Sequence, residues 1–150
     1  MKTAFVLGRL IVGFFYLFAG LNLFLQRSTA AGFAASHDVP LPELAVPVAA
    51  AFLLIGGASL LLGWKPAVGI AAIVLFFAPV TFYMHPFWKE AGPERLNDSM
   101  NFLKNLALLG SALMFTAIPR PWTASVASSG KRETEIVEPL PARERRRSAG

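Results

Sequence analysis

The chain has 150 residues, of which 55% are hydrophobic and 15% charged, with a net charge of +5 and no cysteine. This length is too short for two large domains, and the lack of cysteine excludes disulfides, thiolate metal sites and cysteine nucleophiles. Four long, uncharged apolar stretches indicate a small membrane protein, because about 20 mostly apolar helical residues cross the roughly 30 Å hydrocarbon core of a bilayer.

The first apolar stretch predicts a membrane helix over about residues 3–26. Arg9 lies near its start, and we expect this side chain to extend back to the interface as an anchor. A cleaved signal peptide is the alternative, since Lys2 and Arg9 precede the apolar run. That run, residues 10–25, exceeds the usual signal core of about 7 to 15 residues, which favours a retained helix.

The second and third helices are predicted over residues 43–63 and 66–85. Residues 27–43 contain Pro40 and Pro42 and are interpreted as an external loop with a short helical piece at most. Only Gly63, Trp64 and Lys65 join the two helices, so we expect an antiparallel hairpin. Small residues let membrane helices approach closely, and Gly20, Gly56 and Gly57 are the predicted packing points.

The fourth helix is predicted over residues 97–118, and the composition after it becomes polar and rich in arginine. The sequence therefore predicts an all-α, four-transmembrane-helix bundle in residues 1–120, followed by a disordered basic C-terminal tail, residues 121–150. We expect the tail to contact anionic lipid and not nucleic acid.

Lysine and arginine are distributed unevenly between the two sides of the predicted bundle. The termini and the Lys65 link hold ten of these residues, and the opposite side holds four. Because positive charge is retained inside, we predict a multi-pass protein of the cell membrane, specifically the bacterial inner membrane, with both termini cytoplasmic.

The fourth helix carries a polar stripe near its start. Lys104 either extends to the interface or pairs with Asp98 or Glu43; the functional alternative is a cation that binds an anionic or carbonyl-bearing ligand. The simpler interpretation of Asn101 and Asn105 is that their side chains form hydrogen bonds between helices.

Polar residues at similar predicted depth near the outer leaflet form one candidate ligand-binding site. These residues are Asn22, Gln26, His85, Asn101, Lys104 and Asn105. His85 can titrate near neutral pH, although an interfacial residue beside an aromatic belt is the simpler interpretation. The histidine spacing indicates no metal site, and the apolar stretches contain no carboxylate, so we predict no metal ligands and no catalytic residues.

Several motifs, in order and at consistent separation, give the chain a family resemblance. They are Gly8-Arg9-Leu10, Phe18-Ala19-Gly20-Leu21-Asn22, Val39-Pro40-Leu41-Pro42, Gly56-Gly57, Leu60-Leu61-Leu62-Gly63, His85-Pro86-Phe87-Trp88 and the segment from Phe102 to Gly110. Over about residues 4–118 the chain resembles the DoxX family of small four-helix membrane proteins.

The resemblance implies a redox-linked accessory role more than an enzyme that acts on its own, and an independent enzyme is the third alternative. Some members of the family are associated with quinol oxidase or thiosulfate:quinone oxidoreductase complexes. We therefore expect an accessory or scaffold subunit of a quinone-linked membrane redox complex, in contact with the lipid bilayer and an oxidoreductase subunit. The alternative is a binder or transporter of a small molecule, a quinone or a lipid, that uses the outer-leaflet polar cluster.

Overall fold

The computed structural model describes residues 2–126, and every regular element in this range is helical. The elements are α1 (Lys2–Leu25), α2 (Arg27–Ala35), α3 (Pro42–Leu62), α4 (Pro66–Met84), α5 (Gly92–Met114) and a 3-10 turn (Phe115–Ala117). The predicted all-α class is confirmed, whereas the prediction for residues 127–150 lies outside the described part of the chain.

Three helices are long and apolar enough to cross a membrane, namely α1, α3 and α4. They have 24, 21 and 19 residues, close to the length that a bilayer requires. The fourth predicted span, α5, has 23 residues, but its first half is polar and includes Glu94 and Asp98. The structure thus provides three strongly apolar helices and a fourth long helix of mixed polarity.

Two helix boundaries differ from those predicted. Residues 27–35 form the helix α2, where we expected mainly loop, because four alanines give the segment high helix propensity. Ala31 and Ala34 of α2 are buried against Val46 of α3. The last long helix, α5, begins at Gly92 and not at residue 97, since Pro93 fits a first helical turn and Glu94 there favours the helix dipole.

A tight turn joins α3 to α4 as an antiparallel hairpin. Gly63 adopts a left-handed conformation with φ of 61°, and its N–H donates to the carbonyl of Leu60 at 3.2 Å. The Ser59 hydroxyl donates to the Trp64 carbonyl at 2.7 Å, which holds the turn on the end of α3. The hairpin predicted from the short link is therefore present.

The packing of α1 against α3 is more extensive than that of the hairpin. Glycines make this close approach possible: Gly13, Gly20 and Gly57 are all buried between the two helices. A further glycine, Gly56, faces Ile73 of α4. The predicted packing role of these small residues is thus observed at both contacts of α3.

The bundle has one main apolar core, to which residues from four helices and the C-terminal segment contribute. Its buried residues are Tyr16, Leu53, Leu60, Ile70, Ile73, Phe77, Ala112 and Trp122. Trp122 and Ser125 are each 2% exposed, so the folded part of the chain continues past residue 120, where we expected the disordered tail to begin. The aromatic ring of Trp122 supplies the reason, because it packs edge to face on Phe5 with centroids 5.5 Å apart.

Removing the hydroxyl of Tyr16 is expected to weaken the contact between α1 and α5. The Tyr16 hydroxyl donates to the Leu108 carbonyl at 3.1 Å, and the ring is fully buried. Tyr16→Phe should lower the free energy of unfolding in detergent by about 1 kcal/mol. Tyr83→Phe is the matched control, since Tyr83 is 44% exposed. Equal stability of the two variants would show that the Tyr16 hydrogen bond contributes nothing.

Candidate functional site

An apolar cavity of about 470 Å³ lies between the end of α1, the helix α2, the first half of α3 and the end of α4. It is at the opposite end of α1 from Lys2. Four aromatic rings contribute to its walls, those of Phe33, Phe52, Phe76 and Tyr83. Its volume is within the range of about 300–1,000 Å³ that is usual for small-molecule sites. The cavity can therefore hold an apolar compound with a ring or a chain.

Few polar side chains belong to the wall of this cavity. His85 is the one ionisable side chain among its lining residues other than the phenol of Tyr83. Pro79 in α4 has no N–H, so the carbonyl of Leu75 loses its helical donor four residues on. Leu75 and Pro79 both line the cavity, so this break in the hydrogen bonding of α4 lies beside it.

His85 is held by an acidic residue of the next helix. Its Nδ1 lies 3.4 Å from the Asp98 carboxylate, and both side chains are about four-fifths buried, with exposures of 21% and 18%. A neutral imidazole with Nδ1–H bonded to a carboxylate presents Nε2 as an acceptor, and a protonated one presents Nε2–H as a donor. The pair fixes the ring at the junction of α4 and α5.

A cluster of aromatic rings lies close in sequence to His85 and Asp98. Phe87 and Trp88 follow His85, and both pack against Phe102 of α5 with ring centroids 5.3 and 6.0 Å apart. Phe82 packs on the same ring at 5.4 Å. His85 thus follows α4 directly before two of these rings and also lines the cavity, and both interpretations of it stay predictions.

The structure separates the six residues predicted as one ligand site. Asn22 and Gln26 line a second, shallower depression of about 380 Å³, which adjoins the main cavity through the shared residues Leu23, Ala30 and Phe33. The Asn22 amide donates to the Phe18 carbonyl of its own helix at 3.0 Å. His85 therefore lies on the main cavity, and the first-helix pair lies beside it.

The three predicted residues of α5 line neither cavity. Asn101 and Asn105 are partly buried, and Lys104 is exposed. Asp98 pairs with His85, so the predicted pairing of Lys104 with this residue is not observed. Because α5 packs mainly on α4, its polar stripe does not face the ends of α1 and α3.

Sequence patterns missed two parts of the site. The walls contributed by Ala30, Phe33 and Ala34 belong to α2, and the alanine content of that segment is the signal that indicated a helix. The pairing of His85 with Asp98 had no signal in the sequence, since the two residues lie on different elements. Among residues 2–126, no three histidine or acidic side chains are grouped so that they could hold a metal ion.

Comparison with known proteins identifies a family. The DoxX family model matches residues 4–86, which include α1 to α4 and the first residues after α4. No curated protein and no solved structure matches the chain.

Proposed function

The chain belongs to the DoxX family of membrane proteins, and from this premise we propose that it binds a quinone in the cavity between α1, α2, α3 and α4. The observation that carries the proposal is the combination of apolar, aromatic walls with a single histidine at the edge. A quinone needs this combination, because its ring and tail are apolar and its two carbonyl oxygens accept hydrogen bonds.

The polar groups of the wall match both redox forms of such a ring. Protonated His85 can donate Nε2–H to a quinone carbonyl, while the Leu75 carbonyl can accept from a quinol hydroxyl. A lipid acyl chain would use the apolar walls but neither polar group. The chemistry of the wall therefore favours a quinone over a lipid.

The accessory role follows as part of the same proposal. A small subunit that holds a quinone would support an oxidoreductase partner without performing catalysis itself, as the resemblance implies. Both termini are proposed to be cytoplasmic, which places the cavity towards the outer leaflet. Reporter fusions at Ser36, Lys65 and Ser128 would test this topology, and a cytoplasmic Ser36 or a periplasmic Ser128 would contradict it.

Filling the cavity is expected to abolish ligand retention while the bundle stays intact. Ala49 lines the cavity, whereas Ala51, two residues along α3, is exposed. Ala49→Phe should reduce the quinone that copurifies from native membranes by about tenfold or more, equivalent to about 1.4 kcal/mol of binding free energy. Ala51→Phe should leave it unchanged. The measurement is mass spectrometry of extracted quinones and lipids per mole of folded protein.

The same experiment separates the alternatives. Loss of quinone from Ala49→Phe, with a smaller loss from His85→Ala, would support the proposal. If phospholipid alone copurifies with the wild type and is lost from Ala49→Phe, the ligand of the cavity is a lipid and not a quinone. Retention of quinone that is equal in Ala49→Phe and Ala51→Phe would place the ligand elsewhere and contradict the proposal.

A further inference from the structure

Arg9 is a buried cation at the end of the bundle opposite the apolar cavity. Its side chain is 2% exposed, although it lies only about 10 Å along α1 from Lys2. The extension of this side chain to the interface stays a prediction, and the burial of its guanidinium by protein was not expected from the sequence. Residues 118–126, here called the covering segment, pass over the guanidinium and remove it from solvent.

The hydrogen bonds of Arg9 are incomplete. Nη2 donates to the Ala124 carbonyl at 2.8 Å, but Nε and Nη1 are buried and have no hydrogen-bond partner within residues 2–126. A guanidinium has five N–H donors, so most of its donor capacity is unused. A buried donor without an acceptor is costly, and an uncompensated buried charge costs several kcal/mol.

The neighbours of Arg9 provide little compensating charge. The rings of Phe5 and Trp122 lie 5.9 and 6.0 Å from its Cζ, at the outer limit of a useful cation–π contact. No carboxylate of the described residues forms an ion pair with it. No carboxylate of the described residues therefore neutralises this buried cation.

The covering segment contacts the guanidinium of Arg9 through a group that binds it weakly. Ala124, whose carbonyl accepts from Nη2, has φ of 52°, a left-handed conformation that is unfavourable by about 1–2 kcal/mol for a residue other than glycine. On another side, the guanidinium packs closely on Gly63, where an added Cβ would be 2.5 Å from Nη1. One neutral carbonyl on a strained residue is a weak competitor for an anionic oxygen.

We propose that Arg9 binds an oxyanion of the phosphate type, which takes the place of the Ala124 carbonyl when the covering segment moves away. A phosphate group presents several acceptor oxygens and can satisfy more than one guanidinium N–H. The two sources are the headgroup of an anionic phospholipid at the adjoining membrane surface and free inorganic phosphate. This site is independent of the quinone proposal, because it lies at the other end of the helices.

The test uses the full chain purified in detergent and two phosphate probes. Thermal unfolding is measured with inorganic phosphate against chloride at equal ionic strength, and with vesicles of phosphatidylglycerol against phosphatidylcholine. Wild type should be stabilised by at least one phosphate probe, and the apparent affinity should fall about tenfold or more in Arg9→Gln. Arg120→Gln is the matched control, because Arg120 is exposed in the same part of the chain.

The outcomes are distinct. Stabilisation by phosphatidylglycerol alone identifies a lipid headgroup, and stabilisation by inorganic phosphate identifies a free anion. No stabilisation by either probe, or equal responses of Arg9→Gln and Arg120→Gln, would overturn the proposal.

If Arg9→Gln does not fold, a second variant tests the site. Trp122→Ala should loosen the covering segment and raise the apparent affinity for the effective probe. If the covering segment has only a structural role, Trp122→Ala would leave the apparent affinity unchanged or would lower it. Either result would also overturn the proposal.

Discussion

Replacing Gly57 with alanine is expected to lower the free energy of unfolding by about 3 kcal/mol, through overpacking where α1 crosses α3. A Cβ at Gly57 would lie 2.5 Å from the Leu17 amide nitrogen and 2.9 Å from the Gly13 carbonyl oxygen. Both atoms belong to the backbone of α1, so no side-chain rotation can relieve the contact. The helices must separate, and the core around Tyr16 loosens with them.

The control for Gly57 is a helical glycine in open space. Gly110 in α5 has no atom within 4 Å of an added Cβ. Gly110→Ala should leave the free energy of unfolding unchanged or raise it by less than about 1 kcal/mol, because alanine loses less backbone entropy than glycine in a helix. Denaturant titration of both variants in the same detergent gives the comparison. A Gly57→Ala protein as stable as Gly110→Ala would contradict the close crossing of α1 and α3.

Replacing Gly63 with alanine is expected to have the second large effect, again about 3 kcal/mol, from two separate causes. The residue has φ of 61°, which disfavours any side chain. An added Cβ would also be 2.5 Å from Nη1 of Arg9 and 2.6 Å from Cβ of Ser125. The substitution therefore disturbs the α3–α4 turn and the buried cation together.

Gly92 allows these two causes to be separated. It has the same φ of 61°, but the nearest atom to an added Cβ is the Glu94 carboxylate at 3.7 Å. Gly92→Ala should therefore lower the free energy of unfolding by only about 1 kcal/mol, which is the cost of the left-handed backbone conformation for alanine. Thermal unfolding of Gly92→Ala and Gly63→Ala under the same conditions measures the difference. Equal losses would mean that the Arg9 side chain is not held against the turn.

The candidate site shows where sequence reasoning reaches its limit. His85 was identified because imidazoles at a membrane boundary are uncommon and chemically useful, and it does line the main cavity. Lys104 was predicted from its depth and from the polar stripe of its helix, yet neither specifies which neighbour that helix face meets. The rotation of α5 about its axis depends on its contacts with α4, so Lys104 is exposed and Asp98 meets His85.

Arg9 illustrates the same limit at the other end of the bundle. A basic residue near the start of an apolar helix normally extends to the interface, and nothing near it in sequence indicates otherwise. Its acceptor is the Ala124 carbonyl, 115 positions further along the chain. Only the return of the chain after α5 brings the two together.

The membrane class and the apolar helices could be predicted from the sequence because they depend on local apolarity. The α3–α4 hairpin follows from prolines and glycines at helix ends, and the family follows from motifs in a fixed order. The apolar cavity is visible only in the tertiary structure, and so are the pairing of His85 with Asp98 and the burial of Arg9. These features arise where helices distant in sequence pack together, and the orientation of each helix face is set by that packing and not by local composition.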